Sequence, residues 1–354
     1  MVKNTSKLYL APLKKNFMTI KNYLSILTVL VLCISCGDDD NTPDAIPFND
    51  RGEQSVADDT FIRDYLETHF YNYEEFANPP ADFDYEIRFD TISGENAGKT
   101  PLLDQVTPLT YDRFETSNTL YILTAREGVG ASPTYADSTF VTYRGANILS
   151  NVFDAATNPI WFNLPATIDG FANGIAGAKG GSGFTIAPDG TTVFNNDYGI
   201  GAVFIPSGLG YFAQPPNSSI GIYSSLVFTY SIYDSKVTDH DGDGIISIDE
   251  DVDGNGFFFD DIDNTDDDNS PNFNDPDDEN DGVTTKLETL RDADGNFVSF
   301  MDTDNDGIND HLDTDDDGDG IPTLDEININ FNTGEIVYPD TDGDDIPDYL
   351  DSDS

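Results

Sequence analysis

Thr139-Phe140-Val141-Thr142-Tyr143-Arg144-Gly145 is a run of β-branched and aromatic residues, the composition of a strand lying on a pleated, half-buried surface. Asn151-Val152-Phe153-Asp154 follows it closely. Leu120-Tyr121-Ile122-Leu123 precedes it, and Ala125 to Gly130 turn the chain between the two. Further on, Ala202-Val203-Phe204-Ile205-Pro206-Ser207, Leu209-Gly210-Tyr211-Phe212 and Leu226-Val227-Phe228-Thr229-Tyr230-Ser231-Ile232 read the same way. Only one short helix interrupts them, expected over Ala172–Ala178 after Ala166-Thr167-Ile168-Asp169-Gly170-Phe171. One helix against several antiparallel strands predicts an α+β fold.

Phe61, Ile62, Tyr65, Leu66 and Phe70 recur at helical spacing, so an amphipathic helix capped by Asp58 or Asp59 is expected to about His69. Tyr85, Ile87 and Phe89 alternate with Glu86, Arg88 and Asp90, which predicts a strand. No chemistry attaches to this 57–117 extension. Lys179-Gly180-Gly181-Ser182-Gly183 and Asp189-Gly190 flank Phe184-Thr185-Ile186 and Thr192-Val193-Phe194, an expected hairpin at either the substrate rim or the bare surface. The glycines are no phosphate loop, because no Lys-Ser/Thr follows at that spacing.

Five pieces in order, Val141-x-Tyr143-x-Gly145, Phe153-Asp154, Ile168-x-Gly170-Phe171, Ile205-Pro206-Ser207 with Tyr211, and Leu226-x-Phe228, resemble FKBP-type peptidyl-prolyl isomerases over residues 118–236. The resemblance implies an FKBP-like antiparallel sheet wrapped on one short helix. It implies a proline pocket walled by Tyr143, Phe153, Phe171 and Phe228, with either Ile160 or Phe162 at a further position and Ile220 on one side. Asp154, Tyr211 and the Ile168 N–H would be the catalytic groups. Phe171 stands where the family usually has Trp, which implies a shallower, looser floor. This feature favours the alternative function, a catalytically weak proline-peptide-binding or adhesion lipoprotein with a calcium-stabilised tail. No cofactor is expected for catalysis.

Asp+Glu number 67 against Lys+Arg 16, a net charge of −51. Residues 239–354 hold 40 of those acids against only Lys286 and Arg291. Such a chain repels phosphate, so no nucleic acid partner is expected. Hard dications suit it instead. Asp239, Asp241, Asp243 and Glu250 stand at positions 1, 3, 5 and 12 of a loop with Gly244 at 6, the pattern of an EF-hand calcium loop. Asp277, Glu279, Asp281 and Glu288 repeat it 38 residues later, and Asp315, Asp317, Asp319 and Glu326 after 38 more. A second element interleaves, with Asp302, Asp304, Asp306, Asp310 and Asp313, then Asp340, Asp342, Asp344, Asp348 and Asp351; its copy near Asn264–Asp268 is degenerate. The units resemble thrombospondin type 3 repeats, which implies structural Ca2+ in a tail poor in regular secondary structure. Zinc does not fit, since His240 and His311 are isolated and the tail has no Cys.

Lys14, Lys15 and Lys21 precede an apolar run from Leu24 to Ile34 that ends at Ser35-Cys36-Gly37. That run is the length of a secretory core and too short to span a bilayer. Ser35-Cys36 resembles the lipobox of bacterial lipoproteins, which implies lipidation of Cys36. The expected organisation is a signal peptide over 1–36, an acidic linker over 37–56, the extension over 57–117, the FKBP-like domain over 118–236 and calcium repeats over 237–354. The expected role is isomerisation of X–Pro bonds in exported or surface proteins. Contact with the cell envelope would be through the lipid anchor alone, on the periplasmic face of the outer membrane or at the cell surface.

Overall fold

The computed structural model describes residues 48–149, 151–330 and 332–354. The expected signal peptide, Cys36 and most of the expected linker lie outside the described residues. Among the described residues no helix is long and apolar enough to cross a membrane.

The chain opens with α1 (Arg51–Thr68), β1 (His69–Tyr71), α2 (Tyr73–Ala77) and β2 (Phe89–Thr91). α1 starts seven residues before the expected cap, because the Asp50 side chain accepts the Glu53 N–H at 3.0 Å. Asp58 sits inside the helix and is buried. The alternation from Tyr85 yields strand only from Phe89 onward. Before that, the Asn72 side chain takes over the backbone groups, donating to the Glu86 carbonyl and accepting the Arg88 N–H at 2.9 Å.

The core is a six-stranded antiparallel sheet. Its strands are β3 (Val106–Arg113), β4 (Thr116–Arg126), β5 (Ser138–Asn147), β6 (Val152–Asn163), β9 (Gly199–Ile205) and β10 (Leu226–Lys236), in the order β3-β4-β9-β10-β5-β6. α3 (Asp169–Ile175) begins and ends three residues earlier than expected. After Ala176 the backbone leaves the helix, and the Gly177 N–H donates to the Pro133 carbonyl at 2.8 Å. The hairpin of β7 (Phe184–Ile186) and β8 (Thr192–Phe194) forms where its turn residues place it.

Both faces of the sheet are covered. On one, Leu120, Val203, Ile205, Phe228 and Ile232 pack with Phe171 and Ile175 of α3. On the other, Tyr121, Leu123, Ala202, Phe204 and Val227 pack with Ile62, Tyr65 and Leu66 of α1. Every residue of β9 is therefore buried, as expected of a central strand with no solvent side. The N-terminal extension is thus the second cover of the sheet.

The tail carries only short elements: β11 (Thr289–Arg291), β12 (Phe297–Phe300), α4 (Thr323–Glu326), β13 (Asn328–Asn330), β14 (Glu335–Val337) and single 3-10 turns. Two small apolar clusters involve it, Phe258 and Phe273 with Ala136 of the sheet domain, and Val283 with Ile327 and Tyr349. Gly244, Gly282 and Gly320 at position 6 of the three loops share φ of +98°, +94° and +95°, so one backbone turn recurs with the sequence period.

Candidate functional site

The residues expected at the pocket come from five places: Tyr143 on β5, Phe153, Asp154 and Phe162 on β6, Phe171 on α3, Phe228 on β10, and Tyr211 after the turn that follows β9. The sheet register explains the meeting, since Gly145 pairs with Phe228 on one side and Asp154 on the other. A Cβ at Gly145 would lie 2.6 Å from the Phe228 ring and 2.9 Å from the Phe153 ring, so only glycine lets both rings close over the strand. Ring centroids lie 5.0 Å apart for Tyr143–Phe162, 5.1 Å for Phe171–Phe228, 5.6 Å for Phe153–Phe228 and 5.8 Å for Phe162–Phe171. These are the separations of edge and tilted aromatic pairs.

Phe171 and Phe228 form the buried floor, and Tyr143, Phe153, Phe162 and Tyr211 are half-buried around it. Of the two residues left open in the sequence, Phe162 packs on the Tyr143 ring, while Ile160 is exposed. Phe171 is 2% exposed and packs against Tyr143, Phe162 and Phe228. Ile220 is buried beside the cluster. Ile168 is the N-cap of α3, and its N–H has no acceptor among the described residues.

At the rim the Tyr143 hydroxyl donates to Asp154 at 2.6 Å. Burial, then the Asp154 hydrogen bond and charge, push the Tyr143 phenol well above its ordinary value. Burial and the charge of Asp154 also push Tyr211 up. Asp154 is thus bonded to one phenol, and its charge reaches the second. A separate cavity of about 630 Å³ lies between residues 84–89 and Thr142, Arg144, Thr229 and Ser231, and shares only Tyr143 with the cluster.

In the tail, Asp239, Asp241 and Asp243 each bring a carboxylate oxygen within 4.8 Å of the others, as do Asp277, Glu279 and Asp281. Both oxygens of Glu250, Glu279 and Glu288 are buried without a hydrogen-bond partner among the described residues. Burial, followed by repulsion from Asp241, Asp243 and Asp278, raises the Glu250 carboxyl to about 10. Burial and then the charge of Glu288 raise Glu279, and burial and then the charge of Asp281 raise Glu288. Buried carboxylates without donors need a cation or a proton, so these residues fit hard dications. Glu326 lies in the field of Asp317, Asp319, Asp348 and Asp315. Asp310 and Asp348 fold back on their own turns, accepting the N–H and hydroxyl of Thr303 and Thr341.

Two residues escaped the loop pattern. Asp278 and Asp316 occupy position 2 of the second and third loops; the charge of Asp278 acts on Glu250 of the first loop, and Asp316 lies with residues of the second. Asp316 groups with Asp281 and Glu288, and both its oxygens are buried and unpartnered. Their recurrence at the 38-residue period was the available signal.

A family model described as BamM C-terminal matches residues 240–301. No curated protein sequence matches the chain. Among solved structures it is similar to a peptidyl-prolyl cis-trans isomerase from Pseudomonas syringae, at 17% identity, TM-score 0.32, 54% of this chain and 98% of that one. It is similar to FkpA from Escherichia coli, at 17% identity, TM-score 0.30, 63% of this chain and 75% of that one. It is also similar to the N-terminal domain of FKBP42 from Arabidopsis thaliana, at 17% identity, TM-score 0.27, 33% of this chain and 86% of that one.

Proposed function

We propose that residues 118–236 are a peptidyl-prolyl cis-trans isomerase domain acting on X–Pro bonds of exported or surface polypeptides. The observation that carries this reading is the Tyr143–Asp154 hydrogen bond at the lip of the Tyr143/Phe153/Phe162/Phe171/Phe228 cluster. Rotation about a peptide bond costs about 18–20 kcal/mol because C–N resonance is lost. No proton or nucleophile is needed. A dry aromatic recess disfavours the dipolar planar amide relative to the twisted one, and each ~1.4 kcal/mol so gained is worth tenfold in rate. The rings would hold the proline, the Ile168 N–H would meet a substrate carbonyl, and Asp154, with Tyr211 beside it, would face the twisting amide. Proline-limited refolding of a reporter protein tests this: acceleration by the wild type and its loss in Asp154→Ala is expected. No acceleration by the wild type would refute it.

In the same proposal the tail binds structural Ca2+ through its three loops and the interleaved elements, and the chain is held to the cell envelope by a lipid on Cys36. The unpartnered, buried Glu250 and Glu288 support the first part. Metabolic labelling with a fatty-acid analogue, lost in Cys36→Ser, tests the second.

A further inference from the structure

Between the first calcium-type loop and the degenerate second element lies a stretch that belongs to neither: Asp251-Val252-Asp253-Gly254-Asn255-Gly256-Phe257-Phe258-Phe259-Asp260-Asp261-Ile262-Asp263. Its first half is wound around acids. Asp251 accepts the N–H groups of Asn255 at 3.2 Å and Gly256 at 2.9 Å, and Asp253 accepts that of Asn255 at 3.0 Å. Asp263 returns to accept the Val252 N–H at 2.7 Å through one oxygen. Its other oxygen is buried without a partner, and the residue is 0% exposed. One oxygen each of Asp251, Asp253 and Asp263 lies within 4.8 Å of the others. Oxygens bound at 2.3–2.6 Å to one Ca2+ can stand no further apart than about 4.6–5.2 Å, so the trio has the right span. Arg113 does not neutralise the trio; its guanidinium is held by Asp169 at 3.1 Å, Asp260 at 3.5 Å and the Phe259 carbonyl at 3.3 Å.

The second half of the stretch is driven into the sheet domain. Phe257 is 3% exposed and belongs to the core cluster that contains Phe171 and Ile175 of α3. Its ring packs on Tyr111 and lies under the Arg113 guanidinium. The Asn173 side chain of α3 donates to the Gly256 carbonyl at 3.0 Å, and the Tyr135 hydroxyl donates to Asp251. The same backbone therefore carries the acids on one side and the plug on the other.

We propose that Asp251, Asp253 and Asp263 form a divalent-cation site, suited to Ca2+, whose filling seats Phe257 against α3 and so stiffens the helix that carries Phe171. This site adds to the calcium reading of the tail and can fail while that reading stands. It does not depend on isomerase activity.

Hydrogen exchange of the full chain in detergent, in calcium and in chelator, tests it. Calcium should slow exchange of the α3 amides by about tenfold or more, as expected when local opening is suppressed by at least ~1.4 kcal/mol. The response should survive in Glu288→Gln and vanish in Asp253→Asn. Asp253 is exposed and hydrogen-bonds only within its own turn, so β9 and β10 should exchange in chelator as in the wild type. Phe257→Ala should keep calcium protection of the 251–263 backbone and lose that of α3. Protection confined to residues 239–250, 277–288 and 315–326, or retained on α3 in Asp253→Asn, would overturn the proposal and leave the other calcium sites standing. No calcium response anywhere would remove both.

Discussion

The Asp58 carboxylate accepts the backbone N–H of Ser207 at 2.7 Å and the Ser207 hydroxyl at 2.6 Å, tying α1 to the turn after β9 across 149 residues of chain. Gln54 donates to the same carboxylate at 2.7 Å. The latch is buried, and it holds the start of the segment that brings Tyr211 against the aromatic cluster.

Asp58→Ala strands both Ser207 donors in an apolar seam. A loss of about 3 kcal/mol is expected, since each buried donor left unmade costs roughly 1–3 kcal/mol. Burial raises the Asp58 carboxyl against the pull of its hydrogen bonds. A carboxyl raised in the folded state favours folding below its unfolded pKa and loses that contribution as pH climbs through the folded value. Stability of the wild type relative to Asp58→Asn should therefore fall as pH rises from about 4, the ordinary Asp value. Urea titrations of both chains at several pH values in saturating calcium measure the difference, and an unchanging difference would contradict it.

Gly145→Ala places a methyl between the Phe228 and Phe153 rings. Overpacking of this kind costs about 1–3 kcal/mol, and the displaced rings should lower refolding acceleration more than global stability. Thermal unfolding beside the refolding assay separates the two effects.

Tyr143→Phe keeps the ring and removes the donor to Asp154. Acceleration of proline-limited refolding should drop about tenfold, equivalent to ~1.4 kcal/mol of barrier. The stability change should stay near 1 kcal/mol, the worth of one hydrogen bond. Equal activity in both chains would show that the rim pair is only structural.

Removal of calcium should lower the unfolding temperature of the tail and leave the sheet domain folded. Ligand at a hundred times its dissociation constant stabilises by about 2.7 kcal/mol per site. Glu288→Gln should lose about that amount in calcium and nothing in chelator. Calorimetry of both chains in both buffers measures it; identical traces with and without calcium would contradict the metal reading.

Much of this was legible in residue order. The order of Tyr143-x-Gly145, Phe153-Asp154 and Phe228 carried the resemblance to FKBP-type isomerases that implied one shared cluster, and the pairing of β5 with β6 and β10 brings these residues together. The loop repeats were legible because liganding oxygens and position-6 glycines recur at a fixed period. Other features were not. The strand expected from Tyr85 failed because a distant side chain, Asn72, satisfied its backbone. Asp58 looked like a helix cap, and its buried partner Ser207 could not be read from local spacing. Asp316 stands outside the ligand positions of the loop pattern, and it groups with Asp281 and Glu288 of the preceding loop.

By itself the sequence determined an antiparallel strand set with one short helix, and acid loops of 38-residue period, both properties of local pattern and alternation. Its resemblance to a known family implied an aromatic cluster with an acid and a phenol at its edge. Only the tertiary structure decided that the N-terminal extension covers the second sheet face, that Phe162 rather than Ile160 joins the aromatic cluster, and that Phe257 joins the tail to the core of α3. Those are pairings of surfaces far apart in the chain. They depend on which apolar faces remain uncovered once the sheet has formed, and nothing in local order encodes that.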